Sequence, residues 1–343
     1  MNVQKYLQDK LLAVRQVQPN VEEVATLRQK GLEQYIFDKV TSKKFRKWSI
    51  DENTKKLVRE AIATNLDKKQ PIQFTLPFGG YKIWRVPSSP EVDWAEFFSI
   101  CYYALYLSQI TSVYEPGASL CFSSDDVIVE QMDNIPKSDT EAYFTSFQTL
   151  LNFFRPYFPK NLSLRLIRVA DLYASRLEYD QELAEKILEM KKIYKTLDSS
   201  IVAGKRKTSE FNIHWDGAKD LTSLTEKEKR DLINLGPILH DGYCTLSKRK
   251  AFVRGQDKIV IFPSVPINNG IAIGSTKNSI VKFWTGFGVI HEGRFSFQDR
   301  ILSPKQIDQI KDEKHETIDI DLVPLKNFQK IMSFQKDYNF STL

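Results

Sequence analysis

The sequence predicts a mixed α/β fold with a mainly parallel, Rossmann-like sheet flanked by helices. From residue 71 onward short apolar runs alternate with longer amphipathic stretches, which is typical of a parallel sheet with helical crossovers. Of the 343 residues, 42% are hydrophobic and 27% charged, as in globular proteins with a sizeable core. We expect a helical N-terminal elaboration over residues 1–70 and an α/β catalytic domain over residues 71–343, whose last third is rich in strands.

Helices account for the first 70 residues in this prediction. Apolar residues recur there at spacings of three and four, with charged residues between them, which indicates amphipathic helices. One helix is expected over residues 52–65 because Asp51 precedes it, and an aspartate at that point accepts hydrogen bonds from the free amides of the first turn. The basic run at residues 42–47 is expected to connect two helices.

The first half of the α/β part is predicted to alternate regularly. Ser138 and Glu141 have the spacing of a capping box, so a helix is expected to begin at Ser138. The expected order is strand, helix, strand, helix, strand, over residues 72–76, 92–114, 118–123, 138–154 and 161–169.

The second half is predicted to contain two polar helices, over residues 181–197 and 226–235, on either side of a basic loop at residues 205–207. The last third is richer in strands, and a Glu-Gly dipeptide after His291 indicates a hairpin turn. His291 itself is expected to face solvent. The strands are expected over residues 258–262, 270–273, 280–284, 287–291 and 294–297.

Several large enzyme classes are excluded by missing motifs. The chain contains no GxxxxGK[ST], GxGxxG or GxSxG sequence, so P-loop NTPases, nicotinamide dehydrogenases and α/β-hydrolases are not expected. The three cysteines include no CxxC pair and the four histidines no HExxH, so neither a disulfide framework nor a structural metal is expected. No stretch approaches the roughly 18 apolar residues of a membrane span. We therefore expect a cytoplasmic protein without a membrane partner.

Two adjacent carboxylates follow the strand predicted at residues 118–123. Asp125 and Asp126 would lie at the carboxyl end of that strand, where ligands bind in parallel sheets. A carboxylate pair at this position can hold an amine or act as a general base. An Asx turn that merely closes the strand is the alternative for this pair.

A series of short motifs occurs in a fixed order over residues 71–300. The series runs through Pro77-Phe78, Pro90-Glu91 with Glu96, Tyr114 to Ala118, Ser124-Asp125, Ile135-Pro136, Ala142-Tyr143, Gly270-Ile271, Trp284 and Gly293-Arg294-Phe295. In this order and spacing the chain resembles the isonitrile synthases of the pyoverdine/dityrosine biosynthesis family. The resemblance implies an α/β fold and a divergent member of that family.

The resemblance also implies a biosynthetic reaction between an amine and a sugar phosphate. In this family the amino group of an amino acid joins the ketone of ribulose 5-phosphate, and fragmentation of the imine leaves one carbon on nitrogen as an isonitrile. The enzyme would be a transferase or lyase that forms a C–N bond, without a metal or a redox cofactor. An iron- and 2-oxoglutarate-dependent oxygenase is implied as a partner in the same pathway.

The chain departs from the family pattern at positions that bear on catalysis. Gly79 and Gly80 replace the family's lysine-bearing turn, and Lys82 is the nearest substitute. Phe262 and Thr285 stand where the family has histidines, which removes two groups that would move protons near neutral pH.

The predicted site combines carboxylates, cations and an aromatic ring. Asp125, Asp126 and Lys82 are the expected catalytic residues. Cations are needed to hold a phosphate and a carboxylate to hold the amine, while a flat ring can stack on an aromatic substrate. The expected substrate-binding residues are Arg85, Glu96, Lys248, Arg249, Arg254, Trp284 and Arg294.

A nonenzymatic protein that binds RNA or another polyanion is the alternative. The formal net charge is +6, and short basic runs occur at residues 42–47, 204–207 and 247–250. Clustered lysine and arginine side chains bind phosphate backbones in a salt-dependent way. A solvated surface is the plainer explanation of each run.

Overall fold

The computed structural model confirms the predicted fold class, a mixed α/β fold with a mainly parallel sheet flanked by helices. Among the residues it describes are two sheets, one of five strands and one of four. The five-stranded sheet contains the parallel strands, and the other is formed by the C-terminal third. The described residues are 2–43, 50–78, 90–124, 126–132, 135–216, 224–248, 261–264, 270–273, 283–284, 286–312 and 314–335.

Three helices begin the chain, α1 (Val3–Ala13), α2 (Val21–Val40) and α3 (Glu52–Asp67), as the spacing of apolar residues predicts. Asp51 caps α3 as expected, because its carboxylate accepts a hydrogen bond from the backbone amide of Thr54 at 2.7 Å. The buried side chains of these helices share one apolar core with the sheet that follows.

Helix α2 bends sharply at Gly31, whose φ of 81° lies in the region that favours glycine. The bend brings the two arms of the helix together, since Glu23 and Lys39 form an ion pair across it although they are 16 residues apart. In a straight helix these residues would be about 24 Å apart. A cavity of about 360 Å³ lies beside this bent helix and reaches Tyr106.

The strands of the first sheet are β1 (Ile72–Phe78), β2 (Ala118–Ser124), β3 (Leu162–Arg168), β4 (Ile261–Ser264) and β5 (Gly270–Ile273). Their order is β3-β2-β1-β5-β4, and every neighbouring pair is parallel except β4 with β5. Phe74 and Leu120 are fully buried, because helices cover both faces of such a sheet. Between β1 and β2, the hydroxyl groups of Thr75 and Ser123 share a buried hydrogen bond of 2.8 Å.

The described helices between β1 and β4 are α4 (Trp94–Thr111), α5 (Asp126–Met132), α6 (Lys137–Phe154), α7 (Arg176–Tyr194), α8 (Ser199–Asp216) and α9 (Glu226–Cys244). Helix α4 is buried over most of its length and contacts strands of both sheets. It begins with a capping box, in which the Asp93 carboxylate accepts from backbone amides of the first turn and the Glu96 carboxylate accepts from the amide of Asp93.

Two details of these helices differ from the sequence prediction. Pro136 is the N-cap residue of α6, so the capping box predicted for Ser138 and Glu141 does not form in this described helix. The fixed φ of proline starts the helix before Ser138, which then lies inside the first turn. Residues 205–207, predicted as a loop, lie within α8, since lysine and arginine are good helix formers.

The described elements of the C-terminal third are β6 (Phe287–Glu292), β7 (Phe297–Leu302), α10 (Pro304–Lys311), β8 (His315–Asp319) and β9 (Lys330–Phe334). The strands form the second sheet in the order β7-β6-β9-β8, in which β6 and β9 are parallel and the other neighbours antiparallel. The predicted hairpin turn is confirmed, since the amide of Gly293 donates to the carbonyl of Ser296 at 3.0 Å.

Three expectations for the C-terminal third were wrong. Residues 294–296, expected as part of a strand, lie in the turn between β6 and β7, and the strand begins at Phe297. His291 is only 5% exposed, because β9 pairs with β6 beside it and the ring of Phe334 packs against the imidazole at 4.9 Å. Residues 283–284 form a 3₁₀ turn where the end of a strand was expected. The rest of that expected strand, residues 280–282, lies outside the described residues.

Polar contacts join the second sheet to α1. Asp299 of β7 is almost completely buried, accepts a hydrogen bond from the hydroxyl of Tyr6 at 2.8 Å and forms an ion pair with Lys10. The Gln4 side-chain amide donates to the carbonyl of Asp321 at 3.0 Å and accepts from its amide at 3.2 Å. The beginning of the chain is therefore built into its C-terminal third.

Candidate functional site

The carboxyl ends of three parallel strands meet at one edge of the first sheet. Phe78, Ser124 and Arg168 are paired in register at the ends of β1, β2 and β3. Adjacent strands are about 4.8 Å apart, so these three backbone positions lie within about 10 Å. Ligands of open parallel sheets bind outside this edge, which makes it the candidate functional site.

An aromatic cluster lies where β1 ends. The ring of Phe78 stacks on Trp284 with 5.9 Å between centres and meets Phe283 edge-on at 4.8 Å. On its other sides Phe78 contacts Tyr143 and Phe147 of α6, at 6.5 and 6.1 Å. Phe78 is buried whereas Trp284 is half-buried, so the indole presents the accessible face of this cluster.

A buried carboxylate is connected to the aromatic cluster. Glu96 has no exposed surface, and its Oε1 accepts a hydrogen bond from the Tyr143 hydroxyl at 3.1 Å. Its Oε2 accepts from the backbone amide of Asp93 at 2.8 Å. These bonds fix the position of Tyr143, which is itself in contact with Phe78. Glu96 therefore holds α4 and α6 in place beneath the edge of the sheet.

A cavity of about 250 Å³ opens beside the end of β3. It lies between the first turns of α6 and α7, where unpaired backbone amides favour negatively charged groups. Three of its side chains are cations and two are carboxylates. The lining residues are Lys137, Glu141, Arg168, Ala170, Asp171, Tyr173, Ser175 and Arg176.

Arg168 is held firmly at the wall of this cavity. Its guanidinium donates to Glu141 at 2.8 Å and to Asp171 at 3.1 Å. The same group lies over the ring of Phe144, 4.1 Å from the ring centre. With three partners the guanidinium has little rotational freedom, so its charge is positioned before any ligand arrives.

Arg176, at the start of α7, is held in a similar way. It donates to Glu130 of α5 at 2.5 Å and to Asp180 at 3.0 Å. Burial works against the charged guanidinium, but the bonds to these two carboxylates outweigh it, so the pKa of Arg176 is raised. Lys137 is exposed and has no ion pair among the described residues. The cavity thus combines two cations held by carboxylates with Lys137, which forms no ion pair with a described residue.

Five of the predicted site residues lie outside the described residues. They are Lys82, Arg85, Asp125, Arg249 and Arg254. Asp125 directly follows Ser124, which is at the carboxyl edge. The backbone of Asp126 is described as the first residue of α5, next to the same edge.

The other predicted residues are distributed over several elements. Glu96 and Trp284 belong to the aromatic cluster and its support, as described above. Lys248 is exposed and follows Ser247, whose amide and hydroxyl donate to Glu182 of α7 at 2.7 and 2.9 Å. Arg294 lies on the hairpin of the second sheet, with its guanidinium 5.2 Å from the ring centre of Phe295. Their roles in binding stay predictions.

Sequence reasoning missed the cations of the cavity, above all Arg168 and Arg176. A signal was available for Arg168, since it is the last but one residue of a predicted strand and is followed three residues later by Asp171. Arg176 had a local signal only in Asp180, four residues later, because its other partner, Glu130, is 46 positions away.

The described residues include neither a metal-binding cluster nor a membrane-spanning helix. No group of three or more histidine, cysteine, aspartate or glutamate side chains in this part of the chain is placed to hold a metal ion. None of the described helices has both the length and the hydropathy that crossing a membrane requires.

No family model matches the chain, and no curated protein matches its sequence. Its fold is similar to the crystal structure of the PvcA protein from Pseudomonas aeruginosa. The two chains are 13% identical, with a TM-score of 0.56, and the match covers 88% of this chain and 99% of PvcA. A likeness at this identity shows the fold alone, and it agrees with the α/β architecture predicted from the sequence.

Proposed function

We propose that this chain is a biosynthetic enzyme of the isonitrile-synthase type. It joins the amine of an amino acid to the ketone of ribulose 5-phosphate, and one carbon stays on the amine nitrogen after fragmentation. The motif series of the sequence supports this proposal. The fold supports it too, because it is similar to that of PvcA, a protein of the family that the sequence resembles.

The observation that carries the proposal is the convergence of the motif residues. Phe78, Tyr143 and Trp284 belong to different motifs of the series, yet their rings form one cluster at the end of β1. Ser124, from another motif, is the register partner of Phe78. Residues that are distant in sequence and meet at the ligand-binding edge of a parallel sheet are expected of a functional site.

The proposed chemistry assigns a task to each charged group at this edge. Asp125 holds the amine and accepts its proton, so that the nitrogen can attack the ketone carbon and water can leave. Lys82 is the proposed donor to the departing hydroxyl. Arg168, Arg176 and Lys137 offer charge-assisted hydrogen bonds to the phosphate. Trp284 gives the side chain of an aromatic amino acid a face for stacking.

Incubation of the purified protein with amino acids and ribulose 5-phosphate tests the reaction directly. We expect a product in which the amine is converted to an isonitrile, detected by mass spectrometry and absent when either substrate is omitted. Carbon-13 at the ketone position of the sugar should appear in the product. A correctly folded protein that forms no such product from any amino acid contradicts the proposal.

A variant of the predicted base sharpens this test. Asp125→Asn keeps the shape of the side chain but removes its charge and basicity, so product formation should fall by about tenfold to a hundredfold. Asp308→Asn is the matched control, because Asp308 is exposed on α10 and its one ion pair among the described residues is with Lys311, one turn away. Equal activities of the two variants would remove Asp125 from the mechanism.

A further inference from the structure

The end of α7 and the beginning of α8 form a strongly basic surface. We define residues 187–207 as the α7–α8 corner. This stretch contains six basic and two acidic residues, a net charge of +4 in a chain whose total is +6. Most of the excess positive charge of the protein is therefore concentrated here.

Five of the six cations of the α7–α8 corner are exposed. Lys191, Lys192 and Lys195 lie on one face of α7 by their spacing, and all three are exposed. Arg206 and Lys207 of α8 are exposed as well. None of these five forms an ion pair with any of the described residues. Such a cluster repels itself, and a negatively charged surface would relieve the repulsion.

Aliphatic side chains are exposed between these cations. Leu188, Ile193 and Ile201 are 58%, 43% and 50% exposed. Leu188 is three positions before Lys191 and four before Lys192, so it belongs to the same face of α7. The α7–α8 corner thus presents apolar groups and positive charge together.

A carboxylate on α9 fixes the two helices of the corner next to each other. Asp241 accepts hydrogen bonds from the Tyr194 hydroxyl at 2.7 Å and from the Lys205 ammonium at 2.6 Å. The last turn of α7 and the second turn of α8 therefore meet at one point. The five other cations, which form no ion pair with a described residue, extend from both sides of this contact.

A histidine adds to the positive charge near this contact. His240 is exposed, with its Nδ1 3.6 Å from Asp241. The neighbouring Asp241 carboxylate, together with Cys244, raises the pKa of His240 and so favours its charged form.

We propose that the α7–α8 corner binds peripherally to membranes rich in acidic phospholipids, with its lysines at the headgroups and its aliphatic side chains at the interface. Basic residues combined with exposed aliphatic side chains are typical of such contacts. The absence of a membrane-spanning stretch does not bear on a peripheral contact of this kind. The proposal goes beyond the proposed reaction and does not depend on it.

Two other partners fit the corner less well. Single-stranded nucleic acids are bound by cations combined with exposed aromatic rings on which the bases stack. Tyr194 of the corner is half-buried, and its hydroxyl donates to Asp241. Protein interfaces are centred on aromatic and arginine anchors in pockets, whereas this surface is dominated by lysine and isolated aliphatic side chains.

Sedimentation with lipid vesicles tests the proposal. The full chain should bind vesicles of phosphatidylcholine containing about 30% phosphatidylserine and should not bind pure phosphatidylcholine. Binding should weaken more than about tenfold between 0.05 and 0.3 M salt, because salt screens exposed charges. Binding to a single-stranded RNA without binding to vesicles would overturn the proposal.

Matched triple variants locate the binding surface. Binding to the anionic vesicles should fall on the order of a hundredfold, at about fivefold per charge, in the variant that combines Lys191→Gln, Lys192→Gln and Lys195→Gln. The control variant removes the same charge from exposed positions elsewhere by combining Lys30→Gln, Lys160→Gln and Lys227→Gln, and its binding should stay within about twofold of the wild type. Equal losses in the two triple variants would contradict a specific surface.

The aliphatic contribution has its own variant. Leu188→Ser with Ile193→Ser keeps every charge, yet it should weaken vesicle binding by about fivefold or more because apolar area is lost from the interface. All substituted side chains are exposed, so thermal midpoints should match the wild type. If a triple variant unfolds at a lower temperature than the wild type, the single lysine variants give the same test. Each single variant of the corner should weaken vesicle binding by about fivefold.

Discussion

The two sheets are held in the molecule by different combinations of interactions. Burial dominates in the first, whose strand residues Phe74, Leu76 and Leu120 have no exposed surface. The second also buries apolar residues, such as Ile290 and Ile331, but polar contacts tie it in addition to distant segments. Asp299 pairs with Lys10, and the indole nitrogen of Trp94 donates to the carbonyl of Lys330 at 2.8 Å.

This difference decides which part of the fold is visible in the sequence. Burial leaves a periodic pattern of apolar residues, which any local window shows. The bond from Tyr6 to Asp299 spans 293 positions and leaves no local pattern. The first sheet should therefore tolerate the loss of a polar pair, whereas the second should depend on its polar contacts.

Removal of Asp299 should have the largest effect on stability. Asp299→Ala leaves the ammonium of Lys10 in a largely buried position without its partner, which costs about 3–5 kcal/mol. Urea unfolding measures this loss. Asp308→Ala, at an exposed position of the neighbouring helix α10, should change the unfolding free energy by less than about 0.5 kcal/mol.

The loss in Asp299→Ala should depend on pH. Burial lowers the pKa of Lys10, but Asp299 reverses this effect in the wild type, so the pKa is raised from 10.5. Without Asp299, burial lowers the pKa of Lys10 against only the smaller opposing effects of Cys101 and Tyr6, so we expect the folded protein to bind the proton less tightly than the unfolded chain does. The deficit of Asp299→Ala should therefore shrink as the pH rises toward 10.5. A constant deficit between neutral and alkaline pH would assign the loss to packing.

Substitution of Gly117 should have the next largest effect, this time in the first sheet. Gly117 has a φ of 76°, and a Cβ atom there would lie 1.9 Å from the carbonyl oxygen of Asn161. Gly117→Ala should cost about 3 kcal/mol in urea unfolding, because strain and a backbone clash combine.

Gly31 is the matched control for this effect. Its φ of 81° is similar, but nothing lies within 4 Å of the added Cβ atom. Gly31→Ala should cost about 1–2 kcal/mol, the strain alone. Equal losses at the two positions would show that close packing at the start of β2 contributes nothing.

The hydrogen bond between Thr75 and Ser123 tests the tolerance of the first sheet. Either Thr75→Val or Ser123→Ala alone leaves a buried hydroxyl without a partner, at a cost of about 1–2 kcal/mol. The double variant should cost less than the sum of the single ones, because both polar groups are gone. If the double variant loses as much stability as the two single variants together, the first sheet depends on its polar contacts as the second sheet does.

The fold could be predicted from the sequence where the local pattern of residues and the packing agree. The strands β1, β2 and β3 and the cap of α3 by Asp51 are confirmed because each depends on neighbouring residues. His291 was misplaced because its burial depends on β9, which comes about 40 residues later in the chain. Strand pairing of this kind cannot be derived from the residues around a histidine.

The candidate site was predictable in its position but not in its contents. The edge at Ser124 follows from the order of strands and helices, which the sequence shows. Arg168 and Arg176 each have one carboxylate partner nearby in sequence, but their other partners, Glu141 and Glu130, are 27 and 46 positions away and reach them only through the fold. Asp125 was predicted at the same edge and stays a prediction.

The attachment of α1 to the C-terminal third has a consequence for synthesis on the ribosome. The partners of Tyr6 and Gln4 lie 293 and 317 positions downstream, so α1 emerges long before either exists. At about 5–20 residues per second, this delay is about 15–60 s. During that time the apolar face of α1, with Leu7 and Leu11, lacks part of its final environment. We therefore expect the nascent chain to expose this apolar face, and to need protection from aggregation, until its last strands are made.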